Sequence, residues 1–134
     1  MSTSATSPPK FVKEIKDITV IEGKSATFTA EITGMPRPEV TWYKNYREVF
    51  SGRHYEVKQD GTTYTLVIKK TGESDIGGIE CSVKNKFGSA TSRAMLDVEG
   101  IYSAFYFIYI TLLIWEVSFS TTKVINLWVK AKVF

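Results

Sequence analysis

The chain has one cysteine and one histidine among its 134 residues. A lone thiol excludes an intrachain disulfide and a cysteine-built zinc site. A lone imidazole, His54, excludes a histidine-rich metal site. The opening stretch MSTSATSPPK has neither the basic nor the apolar region of a secretory leader. No Asn-x-Ser/Thr acceptor for glycosylation occurs. The lone thiol, the missing leader and the missing acceptors agree on a reducing, cytoplasmic setting. Charge of one sign is also missing: residues 1–100 carry 14 basic and 13 acidic side chains. A nucleic-acid surface needs a concentrated basic stripe, so no nucleic-acid partner is expected. Lys69-Lys70 and Lys84/Lys86 read as solvated strand or turn positions.

Catalytic signatures are lacking as well. The sequence contains no nucleophile elbow, phosphate loop or paired-carboxylate motif. Cys81 falls on an apolar face, and Asp60 and Asp75 stand where turns need them. No enzymatic activity, cofactor or metal is expected.

What is present is an alternation of period two. Ala26, Phe28, Ala30 and Ile32 share one face, with polar residues between them. Val40 and Trp42, then Tyr64, Leu66 and Ile68, then Ile79, Cys81 and Val83, then Ala94, Leu96 and Val98 repeat the pattern. Strands with one dry and one wet face belong to antiparallel sheets. The punctuation agrees. Asp60-Gly61 between strand-like runs signals a hairpin. Asn85-Lys86-Phe87-Gly88 signals another, with Gly88 free to take positive φ. Seven to eight short strands at this spacing predict an all-β, two-sheet sandwich over residues 10–99. Its core is expected from Phe28, Ala30, Ile32, Val40, Trp42, Leu66, Ile68, Ile79, Cys81, Val83, Leu96 and Val98. Residues 1–9, rich in Ser, Thr and Pro, read as a disordered linker.

Three motifs carry a family resemblance. Gly34-x-Pro36-x-Pro38-x-Val40-x-Trp42-Tyr43-Lys44, Ser74-Asp75-x-Gly77-x-Ile79-x-Cys81, and Asn85-x-x-Gly88 followed by Ala90 occur in order. Residues 9–99, which hold them, resemble the intermediate-set (I-set) immunoglobulin domain. The flanking patterns around Pro9-Lys10-Phe11 and Arg53-His54-Tyr55-Glu56-Val57 are similar to the intracellular muscle members: titin, twitchin, obscurin and the module of myosin light chain kinase. The resemblance implies an immunoglobulin-like sandwich that spaces and binds proteins of the sarcomere or cytoskeleton, including neighbouring modules of its own kind. Two departures stand out. Ala30 occupies the strand position that holds a cysteine in disulfide-bonded members, so Cys81 is expected to pack against Trp42 as a small hydrophobe. Ile79 replaces the tyrosine two residues before that cysteine, which removes a corner hydrogen bond and predicts a lower denaturation midpoint than a typical relative.

Two further regions bear on function. Tyr43, Tyr46, Arg47, Arg53, His54 and Tyr55 form an aromatic-plus-arginine group of the kind enriched in protein interfaces. Residues 100–134 change character: no Gly or Pro follows Gly100, and 16 uncharged residues separate Glu99 from Glu116. Spanning a bilayer takes ~20 residues. This hydrophobic tail therefore reads either as a membrane segment of an adhesion-like protein or as a divergent chain end. A third reading is a regulatory module of a muscle kinase.

Overall fold

The computed structural model describes residues 5–100 and 105–117. Among these residues nine strands form in order: β1 (Ser7–Lys13), β2 (Ile18–Ile21), β3 (Ala26–Met35), β4 (Glu39–Lys44), β5 (Arg47–Val49), β6 (Tyr55–Asp60), β7 (Thr63–Ile68), β8 (Gly77–Asn85) and β9 (Gly88–Glu99). A 3-10 turn, Glu73–Asp75, precedes β8. The strands make two sheets. One has the order β1-β3-β7-β6 and the other β2-β9-β8-β4-β5. The architecture is the all-β, two-sheet sandwich that the alternation predicts, in the immunoglobulin-like form that the resemblance implies. Among the described residues there are nine strands rather than seven or eight, because β5 spans only three residues. Runs that short carry no readable period.

Two pairings depart from the simple expectation. β2 runs parallel to β9, in the register Ile18↔Leu96 to Ile21↔Glu99, while every other ladder is antiparallel. Residues 7–9, expected as linker, lie within β1, where Ser7 pairs with Met35. The Asn85 amide fixes this end by donating to the Ser7 carbonyl at 2.8 Å. Pro9 is buried, so a segment that reads as linker by composition is held by packing.

The core lies between the sheets. Phe28, Trp42, Leu66 and Cys81 are all buried, with Ala30, Ile32, Ile68, Ile79, Val83, Leu96 and Val98. Val40 is only half-buried and packs against this cluster from its edge. Ile15 joins the core from the loop between β1 and β2, where its N–H donates to Ser92 Oγ at 3.1 Å. The Asp60-Gly61 signal gives the β6–β7 hairpin, with Gly61 at φ +60°. Gly88 does not adopt positive φ. It is a close-approach position instead: a Cβ there would sit 3.0 Å from Pro8 Cβ.

The chain divides into two units at Glu99/Gly100. In the second, residues 105–117 are helical. At 1.5 Å per residue this helix is about 20 Å long. Among the described residues no helix is long and apolar enough to cross a membrane.

Candidate protein-binding surface

The β4–β5 hairpin turns through two residues, Asn45 and Tyr46, because Lys44 pairs with Arg47. Both take positive φ, +47° and +67°. That is the type I′ geometry matching strand twist, and it favours Asn followed by Gly. Asn45 suits its place. Its N–H donates to the Gly78 carbonyl at 2.9 Å, and its Oδ1 accepts from the Gly78 N–H at 2.9 Å. Gly77 leaves room for that amide: a Cβ at 77 would collide with it. Tyr46 then stands at the tip, 91% exposed.

The six residues expected on a binding surface fall into two groups. Tyr43, Tyr46 and Arg47 belong to β4, the turn and β5. Arg53, His54 and Tyr55 lead into β6. Tyr46, Arg47 and Arg53 are exposed, while Tyr43, His54 and Tyr55 are half-buried. Arg47 and Tyr55 meet along one shallow hollow with Lys44 and Glu48. The His54 ring stands edge-on to Tyr55, centroids 4.9 Å apart.

His54 is not a free surface group. Its Nε2 lies 2.6 Å from Oδ1 of Asp75, whose side chain is 3% exposed. Lys44 Nζ donates to the same oxygen at 2.9 Å and to the Ser74 carbonyl at 2.9 Å. The Gly72 N–H donates to Asp75 Oδ2 at 2.8 Å. Burial by itself raises the Asp75 pKa, but the bonds from His54, Gly72 and Lys44 outweigh it and hold the carboxyl below its ordinary value. Asp75 thus ties β4, the segment before β6 and the corner before β8 together. The sequence pattern marks it only as a turn residue.

A groove of about 360 Å³ opens beside Tyr46, lined also by Asp17, Glu80, Arg93 and Met95. Met95 is 54% exposed on the outward face of β9. It was visible in the sequence as an apolar residue on a polar face. Its proximity to Tyr46 was not, since the two are neighbours only once β9 pairs with β8 and β8 with β4. Among the described residues no group of three or more His, Cys, Asp or Glu side chains is placed to hold a metal.

The immunoglobulin I-set domain model matches residues 9–98, and the chain belongs to that family. It is 37% identical to CAVP-target protein of Branchiostoma lanceolatum over 100 residues, 74% of this chain and 41% of that protein. It is 36% identical to striated muscle preferentially expressed protein kinase of Danio rerio, over 67% of this chain and 3% of the kinase. It is 34% identical to nexilin of Homo sapiens, over 68% of this chain and 14% of nexilin. The chain therefore spans less than half the length of each. Among solved structures, titin domain M7 is 34% identical with a TM-score of 0.69, covering 72% of this chain and 99% of that domain. Titin Z1Z2 in complex with telethonin is 33% identical with a TM-score of 0.70, covering 73% of this chain and 50% of that one.

Proposed function

We propose that this chain is a non-enzymatic structural module that spaces and binds proteins of the sarcomere or cytoskeleton, within the cytoplasm. The likeness to titin carries this reading. A sandwich at 33% identity and TM-score 0.70 to Z1Z2, which was solved bound to telethonin, supports a protein partner for this fold. The nexilin match supports a muscle setting. The mechanism is geometric: a rigid two-sheet body sets a distance and offers its hairpin tips and outward sheet faces to partners. A second reading, a regulatory module of a muscle kinase, draws support from the match to the striated muscle kinase.

The test is localisation of the tagged full chain in cultured muscle cells, with carbonate extraction beside it. Striated signal and release into the carbonate supernatant are expected. Diffuse signal, or a pellet that only detergent dissolves, would overturn the proposal, the latter in favour of a membrane anchor.

A further inference from the structure

Tyr46 occupies a backbone conformation that costs a bulky residue energy, and it gains almost no packing in return. Its φ is +67° and its side chain is 91% exposed. Left-handed backbone at a non-glycine, bulky residue is uncommon, and such strain persists where the surroundings impose it. Here the surroundings are Asn45, pinned to Gly78 by two hydrogen bonds. Folding alone would be better served by glycine at position 46. A display role accounts for the tyrosine: a rigid, amphipathic ring held out on a fixed turn, losing little freedom when it is covered.

Tyr46 and Met95 line the same groove. Tyr and Met are both enriched where proteins meet, and the thioether adapts its shape to a partner. The charges of the groove say what kind of partner fits. Arg93 is occupied by Glu80, with Nε and a terminal nitrogen each 2.9 Å from Oε1. Asp17 accepts one hydrogen bond, from the Met95 N–H at 2.8 Å, and has no ion-pair partner among the described residues. Three charged side chains, two acidic and one basic, leave the rim with one net negative charge.

We infer that Tyr46, Met95 and Asp17 form a docking surface for a protein segment that presents an aliphatic or aromatic side chain next to a lysine or arginine. The apolar side chain fills the groove between Tyr46 and Met95, and the cation pairs with Asp17. This rests on the reading of the chain as a protein-binding module and assigns that role to one particular surface.

The test selects a phage-displayed library of random twelve-residue peptides on the immobilised full chain, with counter-selection on full-length Tyr46→Gly. The counter-selection removes binders of any other surface, the C-terminal residues included. Enriched peptides should carry Leu, Ile, Met or Phe beside Lys or Arg. Their synthetic forms should bind the Tyr46→Gly chain at least tenfold more weakly, while that variant melts at a higher temperature because its turn is relaxed. Asp17→Asn, which keeps the carbonyl that holds Met95, should erase the preference for basic over acidic peptides. Peptides that bind Tyr46→Gly equally, peptides of acidic composition, or no peptide that separates the two chains would each overturn the inference. Striated localisation shared equally by wild type and Tyr46→Gly would sink this surface and leave the module reading standing. Loss of striation in the wild type itself would sink that reading first.

Discussion

Lys44 and Asp75, 31 residues apart in sequence, form an ion pair of 2.9 Å with side chains 12% and 3% exposed. A pair this dry is strongly destabilising to break from one side, because it strands the other charge. Asp75→Asn should cost about 3 kcal/mol, the low end for such a break, since Lys44 keeps its bond to the Ser74 carbonyl. The pH dependence follows from the lowered Asp75 pKa. A carboxyl held below its unfolded value, ~3.9, contributes stability above that pH. The contribution is lost as pH falls through the folded value. Urea melts between pH 7 and pH 2 should show wild type losing more stability than Asp75→Asn across the acid limb. Parallel curves would show that Asp75 does not titrate as described.

Trp42 Nε1 is buried with no hydrogen-bond partner among the described residues. An unsatisfied buried donor costs roughly 1–3 kcal/mol. Trp42→Phe removes that donor while keeping an aromatic ring, so the two effects oppose each other. It should cost under about 2 kcal/mol, against about 3–5 kcal/mol for Trp42→Ala. Equal losses in the two variants, read from chemical denaturation, would mean that the indole N–H is satisfied in solution.

Cys81 lies opposite Trp42 across β4 and β8 and is fully buried. Burial, then the neighbouring Glu80 charge, pushes its thiol up to about 12. Thiolate is the reactive form, so the native protein should resist iodoacetamide at pH 8. Labelling should appear only with unfolding, at a rate that follows denaturant concentration. Fast labelling without denaturant would show that the core opens locally around β8.

Residues 105–117 present a run of exposed apolar side chains, Phe105 at 65% and Trp115 at 71% among them. Such a run promotes association in water. A 1–100 fragment should elute as a monomer at concentrations where the full chain forms soluble oligomers, and should keep a cooperative thermal transition and a β-type circular dichroism spectrum. A fragment without cooperative melting would place part of the sandwich's stability beyond residue 100.

The alternation of Phe28, Ala30 and Ile32 and of Ile79, Cys81 and Val83 made the sandwich legible, because a period of two with one apolar face has few other solutions. The Asp60-Gly61 turn was equally plain. The pairing of β2 was not, because four residues carry little period and the partner is the distant β9. Ser7 to Pro9 misled in the opposite direction: composition reads as linker, while Asn85 and the packing of Pro9 draw them into β1. At the binding surface the residue types were legible but their company was not. His54 carries no local sign that Asp75, 21 residues later, binds its ring. Tyr46 shows its character only when its φ is known, since an exposed tyrosine in a turn is ordinary and a left-handed one is not.

The parallel pairing of β2 with β9 has a mechanical consequence. β2 lies near the start of the domain and β9 ends it, and the two run in the same direction. Tension applied to the two ends of the domain therefore pulls these neighbours along their length in opposite senses. The four residue pairs from Ile18↔Leu96 to Ile21↔Glu99 are loaded together. They must slide past one another, rather than open one hydrogen bond at a time as a hairpin peeled from its tip does. Built this way, once β1 has come away from β3, the rest of the domain resists a stretching force until that whole ladder gives way.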